Sequence, residues 1–534
     1  MKNKKIIAAL VCASTSLYAT SDKQLQQEIR QLQSQTQAMQ SHLAQLQKEL
    51  NQQNKQTHKH AQKHADKKTI NKKNKKAAKP AAPEHTKHHQ VYHTTNLTIH
   101  SLDEHPNATR FYPTALVAEN KVVTYIAGTP VVSSPYLGSR PAFDGSDYIV
   151  NISSINRDIR LMQQRRRMYS AYRDIGYPVP PMPIISLSGK AEPIGVLNSN
   201  YNGTTNADLT LGSSELNVAA ALNENVEAYI AIAYDSAPPE VGPRIDNSAF
   251  NLNLGFINIG NLDKTPYYFS AGQLYVPFGR YASSMISAPM VLNLARTKTR
   301  PFIVGYKSQY DAGPFAAAYI YRSDTTLGKS GVGGANLGYV FQYGRGDSGE
   351  VGVSYISNIA DSSGMQNTGS PINTTFAGFG SFTNGNEMIR KTPAIDLHAN
   401  FGYGRFIFTT EWVSSLETFR VQDLSFNGEG AMPQAGQAEV AMTFRAFNRP
   451  ASFGTSYQWS KEALALNLPA QSAGAVFSIS IWKDTVESIE YRHDWDYDQY
   501  QFANGAAPLG QVNATTYGTG GSADTVSLQI GVYF

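Results

Sequence analysis

Apolar and polar residues alternate without a break through the last residues of the chain. Val526, Leu528, Ile530, Val532 and Phe534 fall on one side of an extended segment, and Ser527, Gln529, Gly531 and Tyr533 on the other. A period of two over this length predicts a strand long enough to cross a bilayer, apolar outward and polar inward, ending on an aromatic residue. The same period recurs at Leu216, Val218, Ala220 and Leu222, and again at Val226, Ala228, Ile230 and Ile232, with Asn223-Glu224-Asn225 between them as a tight turn. A long Pro-containing stretch, 235–247, follows the second run. Short turns alternating with long loops predict an antiparallel membrane barrel. Residues 184–534, at roughly 22 residues per strand with its turn and loop, suit about 16 strands, with 14 to 18 as the range.

Upstream the period changes. Leu25, Ile29, Leu32, Met39, Leu43, Leu46 and Leu50, with Thr36 as the polar exception, step by four and three in a Gln-rich background. That stripe predicts a coiled coil over 20–54, which implies oligomerisation, the alternative being a lone amphipathic helix packed on its own barrel. Residues 55–87 lose all periodicity and carry a charge of +9, so they read as a solvated, self-repelling spacer within a His/Lys-rich linker that extends to residue 100. Lys2, Lys4 and Lys5 before the apolar run Ile6–Ala13, with small residues up to Ala19, read as an export signal over 1–19. Residues 101–183 resemble neither linker nor regular strand. There Ser153 or Ser154 would cap a helix whose face carries Ile155, Ile159 and Met162, and that would break near Gly176. The expected position is either periplasmic or plugging the barrel.

Composition supports this division. Charged residues make up 16% of the chain, below the roughly 25% of soluble domains, while there are 30 Tyr, 23 Phe and 42 Gly. No run approaches the roughly 18 apolar residues of a spanning helix. The overall +5 averages unlike parts: signal and spacer are strongly positive, the coil is neutral, and residues 88–534 are left at −7. The single cysteine, Cys12, lies in the signal, which leaves no disulfide or thiol chemistry in the exported chain. Export also leaves no role in nucleic-acid binding. The barrel is too short for a 22-stranded receptor with its plug.

Candidate chemistry is basic. The helix carries Arg157 and Arg160 with Arg165, Arg166, Arg167 and Arg173, and arginine forks suit carboxylates. Arg296, Lys298 and Arg300 occupy alternate positions, so an extended segment points them one way, and Arg280 is near in sequence. Such a ladder could draw anions through a constriction or meet lipid phosphates at a strand end. The acidic run Glu487, Glu490, Asp494, Asp496 and Asp498 reads as a solvated loop, with metal binding the less favoured alternative. Only His398 and His493 lie within the barrel region, and no catalytic motif, cofactor site or metal-ligand spacing stands out, so no enzyme or cofactor is expected.

Two blocks carry a resemblance. Ile259-Gly260-Asn261-Leu262-Asp263-Lys264-Thr265-Pro266-Tyr267-Tyr268 and Gly272-Gln273-Leu274-Tyr275-Val276-Pro277-Phe278-Gly279-Arg280-Tyr281, with Asn247–Phe250, Phe143–Asp147, Asn151 and Ser188-Gly189-Lys190, resemble the LbtU-type siderophore porin family. The likeness runs from about residue 130 to the end. It implies an outer-membrane barrel of a Gram-negative bacterium, with its N-terminal segment in the periplasm, that admits ferric siderophore without TonB. Its partners would then be outer-membrane lipid, the barrel assembly machinery reading the terminal Val526–Phe534 face, and copies of itself through the coil. A general or anion-selective porin, and a tether between outer membrane and cell wall, are the alternative readings.

Overall fold

The computed structural model describes residues 96–99, 116–119, 122–126, 129–133, 156–174, 182–235, 249–310, 312–326, 330–343, 347–366, 376, 378–379, 387–388, 390–482, 485–505 and 515–534. The export signal, the coiled-coil positions and the basic linker lie outside the described residues, as do Phe143–Asp147 and Asn151.

Sixteen antiparallel strands close into a barrel. β1 runs in two pieces, Ile184–Ala191 and Ile194–Ser199, interrupted at Pro193, and β2 runs in two, Thr205–Thr210 and Glu215–Ala221. There follow β3 (Val226–Asp235), β4 (Ala249–Gly260), β5 (Tyr267–Tyr275), β6 (Lys298–Thr299 and Phe302–Lys307), β7 (Gly313–Arg322) and β8 (Gly331–Tyr343). The second half comprises β9 (Asp347–Ile356), β10 (Ala394–Tyr403), β11 (Phe406–Ser415), β12 (Gln434–Ala446) and β13 (Arg449–Lys461), then β14 (Gln471–Ile479), β15 (Thr485–Trp495) and β16 (Ser522–Tyr533). Tight connections such as 222–225, 404–405 and 447–448 lie at one end, and long loops such as 276–297, 357–393 and 496–521 at the other.

The closing seam brings the C-terminus back to β1. Asp524–Gln529 pair with Ile194–Ser199, and Val532 and Tyr533 with Ala191 and Lys190. Phe534 exchanges backbone hydrogen bonds of 2.5 and 2.9 Å with Gly189, and a Cβ on that glycine would lie 2.8 Å from the Phe534 ring. Beside them the buried Glu192 accepts from Lys190 Nζ at 2.7 Å and from the Tyr533 hydroxyl at 2.7 Å. Pro193 has no N–H to donate, so these side chains hold the seam where the ladder is interrupted.

The outward face is apolar from strand to strand: Leu216, Ile230, Ile257, Val304, Ile320, Leu337, Leu397, Phe408, Val440, Ile489 and Leu528 are all exposed. Tyr267, Phe341, Tyr403 and Phe406 ring this belt near the turn end, and Phe250, Tyr355 and Trp495 near the loop end. Such a surface is stable only against hydrocarbon or another apolar surface.

The interior differs from a simple polar lining. Tyr229, Leu254, Phe256, Tyr268, Ile303 and Tyr319 are buried on the inner face of β3–β7, packed against elements that enter the lumen. Among the described residues, four short strands precede the helix Arg157–Asp174. Asn96–Ile99 pairs with Leu116–Glu119, and Val122–Ile126 with Thr129–Ser133. Thr129–Ser133 then adds in parallel to β1 at Ile185–Leu187. These strands escape a sequence reading because they are four or five residues long, too short for alternation to stand out.

Candidate functional site

Two elements enter the barrel. The first is α1 (Arg157–Asp174), which begins after Asn156, whose carbonyl accepts from Arg160 N at 3.1 Å. Ser153 and Ser154, the expected caps, lie outside the described residues. Ile159 and Met162 are buried, as their helical spacing predicts. The helix lies on the inner wall of β3–β5. Asn258 Nδ2 reaches the Asp158 carbonyl at 3.1 Å, and Arg165 ion-pairs with Glu227 at 2.8 Å and donates to the Gly260 carbonyl at 3.1 Å. Arg166 meets Asp263 at 3.2 Å. Burial pushes the Asp158 carboxyl above the ordinary range, against a hydrogen bond from Ser270. The Arg165–Glu227 pair is almost fully enclosed, and removing one partner of such a pair costs about 3–5 kcal/mol. Arg157 is buried against the Tyr229 ring at 5.9 Å, and Arg160 is half-buried.

The second element is the loop between β5 and β6. From Val276 it turns into the lumen and crosses the inner wall from β9 to β15 before returning through α2 (Met290–Ala295). The turn is made at Gly279, with φ +75, where a Cβ would come within 2.3 Å of the Tyr281 ring, and Tyr281 itself has φ +53. Gly279 N donates to Ser354 Oγ at 3.2 Å. Arg280 N and Tyr281 N donate to the two oxygens of Glu411, each at 2.6 Å. Further along, Gln437 Nε2 donates to the Ala282 carbonyl at 3.0 Å and Ser283 Oγ to Glu439 at 2.8 Å, while Ser284 donates to the same carboxylate from both N and Oγ. Ile286 N and Ser287 N share Glu490 Oε2, and Met290 N donates to Gln458 at 2.7 Å. Three wall carboxyl groups thus receive backbone N–H groups that no regular ladder satisfies, and each such N–H left buried without a partner would cost about 1–3 kcal/mol. The Tyr281 hydroxyl ends deep in this packing, and burial holds it well above the ordinary phenol range.

Behind the turn, Asp396, His398 and Glu411 place one donor atom each within 4.8 Å of one another, a spacing a metal ion could use. Their donors are already committed. Glu411 holds the loop, His398 Nδ1 lies 2.7 Å from Asp396, and the Arg280 guanidinium stands 3.6 Å from Glu350, which faces His398 Nε2 at 3.7 Å. The cluster is best described as the anchor of the constriction loop, with Arg280 as its positive partner.

The basic ladder does not join this site. Tyr275 pairs with Lys298, and Ala271 with Phe302. Phe302 and Val304 point outward, so Lys298 and Arg300, at the same parity along β6, point outward too. Arg296 departs from them: it is half-buried over the Tyr275 ring at 4.7 Å, and its charge is felt at the buried Tyr281 hydroxyl of the constriction loop. Alternation says only that residues share a side; strand register says which, and for Lys298 and Arg300 it is the outer one. The acidic run is also divided: Glu490 holds the loop, Asp494 meets Arg492 at 2.9 Å, and Asp496 accepts from Thr519 N at 2.8 Å. No sequence signal marked Glu411, Glu439 or Glu490 as a set, since they come from three strands.

The loop end is roofed. Leu424–Phe426 and Glu429–Gly430 form a small sheet with Phe502–Gly505 and Thr516–Tyr517. Phe379 stacks on Phe419 at 5.8 Å and packs edge-on to Phe376 at 5.0 Å. Loops 323–330 and 357–393 meet at Asp361, which accepts from Ser323, Asp324, Thr325, Tyr321 and Asn358. Burial nevertheless pushes its carboxyl above the ordinary range.

The fold and the site define an antiparallel 16-stranded barrel with an apolar exterior, a luminal helix and a constriction loop. The chain matches no family model. It is 64% identical over 535 residues, covering 100% of both chains, to a UPF0422 protein of Legionella pneumophila subsp. pneumophila (strain Philadelphia 1). To a UPF0422 protein of Coxiella burnetii it is 34% identical over 404 residues, covering 75% of this chain and 83% of that one. The chain belongs to the UPF0422 family. Among solved structures, an anion-selective porin from Comamonas acidovorans superposes with a TM-score of 0.43 at 12% identity, over 66% of this chain and 100% of that one. The outer membrane channel DcaP of Acinetobacter baumannii gives 0.41 at 12%, over 67% and 99%. At these scores the barrel assignment rests on its own strand pairing.

Proposed function

We propose that the protein is an outer-membrane channel of porin type, long loops outside and short turns in the periplasm, and that its cargo is a ferric siderophore. The observation that carries the channel reading is the constriction loop pinned across a closed barrel by Glu411, Glu439 and Glu490, beneath an outer surface that requires hydrocarbon. The siderophore reading rests on the resemblance, and the residues that bear it are those that shape the lumen. Gly260 and Asp263 receive α1, and Gly279, Arg280 and Tyr281 turn the constriction loop. In this reading the Val526–Phe534 face is the signal for the assembly machinery, and the coil at 20–54 joins copies of the chain in the periplasm. Arg157, Arg160 and Arg280 are then the candidate ligand-contacting groups, Arg165 and Arg166 hold α1 in place, and the outward Lys298 and Arg300 are set aside.

Single-channel recording of the full chain in planar bilayers tests this. A small current that falls further on adding ferric siderophore is expected, together with restored iron uptake when the chain is returned to a deletion strain. A large current indifferent to ferric siderophore would establish a general porin instead.

A further inference from the structure

The outward ladder has a neighbour that extends it. The β6–β7 ladder ends where Phe302 pairs with Ile320, and two residues further on each strand the same parity brings Arg300 and Arg322 to one level of the outward face. Arg322 is exposed and ends β7, as Arg300 lies just above the start of the apolar belt at Phe302. Two arginines directly opposite on neighbouring strands repel each other unless an anion lies between them. Among the described residues no carboxylate forms an ion pair with Lys298, Arg300 or Arg322. The surrounding polar groups orient these cations without neutralising them: Lys298 Nζ donates to Asn253 Oδ1 at 3.1 Å and lies 5.9 Å from the Tyr275 ring centre, and Arg300 lies 3.5 Å from Gln273 Oε1. Immediately below, Phe269 stacks on Phe302 at 6.2 Å and Val304 continues the belt. Successive outward residues on a strand are roughly 7 Å apart, so the cations span the depth at which a lipid's charged headgroup meets its acyl chains.

We infer that Lys298, Arg300 and Arg322 form a binding patch for the phosphate groups of a phosphorylated glycolipid in the outer leaflet, whose acyl chains lie on Phe269, Phe302 and Val304. The inference rests on the outer-membrane reading, which places the loop end in that leaflet. Arginine forks bind phosphate oxygens in pairs, and a doubly phosphorylated headgroup would bridge the two strands and relieve the Arg300–Arg322 repulsion.

The test uses full-length protein in neutral detergent, with bisphosphorylated lipid A and its dephosphorylated form as probes and native mass spectrometry as the readout. Wild type should retain bisphosphorylated lipid A at least tenfold more tightly than the dephosphorylated form. Lys298→Glu with Arg300→Glu and Arg322→Glu should abolish the difference while single-channel conductance is unchanged. If that variant does not fold, Lys298→Gln with Arg300→Gln and Arg322→Gln removes the charge without reversing it. Equal binding of the two lipids by wild type, unchanged discrimination in a folded variant, or a shift in oligomeric state in place of lipid loss would overturn the patch. A chain that conducts but does not discriminate overturns the patch alone, whereas a chain that forms no channel overturns the reading beneath it.

Discussion

Asp361 shows how a single buried carboxylate ties loops together. Its two oxygens collect donors from Tyr321, Ser323, Asp324, Thr325 and Asn358, so two loops of the same barrel end meet on one side chain. Burial outweighs those hydrogen bonds and raises its pKa in the folded chain. The folded state therefore holds the proton at pH values where the unfolded chain has lost it. That contribution is complete below the ordinary carboxylate range and is lost as pH rises through the folded value, with a slope of at most about 1.4 kcal/mol per pH unit. Amide exchange at residues 321–326 and 358–362, corrected for intrinsic rate, should show this loss. Asp361→Asn, uncharged and of the same shape, should flatten it; an unchanged pH profile would remove Asp361 as its source. Nothing in the local sequence Ile359-Ala360-Asp361 announces this role, because four of its five partners lie more than thirty residues away.

At the scale of elements, the constriction loop depends on wall carboxylates rather than on its own hydrogen bonds. Glu411→Gln keeps one acceptor but turns an amide donor toward the second backbone N–H, which leaves that buried group unsatisfied at a cost of about 1–3 kcal/mol. The loop should leave the β11 wall, giving larger and noisier single-channel currents with the melting of the barrel unchanged. Currents indistinguishable from wild type would show that the loop does not set the conductance. The helix α1 is held comparably, by Arg165 on Glu227 and by the turn at Gly260–Asp263. Its hydrophobic spacing was legible in the sequence, and so was the distinctiveness of the Gly260–Lys264 and Gly272–Tyr281 blocks. Their purpose was not. Both are docking points for inserted elements, and docking joins segments 95 to 131 residues apart in sequence.

For the whole molecule, the belt of outward apolar residues defines the environment in which the barrel is stable. Leu528 lies near the middle of β16 and is 52% exposed. Leu528→Arg should destabilise folding into lipid bilayers by roughly 2–4 kcal/mol, measured by urea titration in vesicles, as expected for a charge facing the bilayer midplane. A negligible cost would mean that this face does not meet lipid. The terminal strand also closes the barrel, through the Phe534–Gly189 exchange and the Glu192 cluster, so its last residues serve both surface and seam.

The sequence by itself determined the barrel, its approximate strand number, the outward face of the last strand and of the β2–β3 hairpin, and the helix that became α1. Each of these follows from a local period, two for strands and 3.6 for helices, which requires no knowledge of distant partners. Only the tertiary structure decided which face Lys298 and Arg300 take, which wall α1 packs on, and that Glu411, Glu439 and Glu490 act together. Alternation puts residues on a common side without saying which side is inside, and that is fixed only when register joins strand to strand around a closed ring.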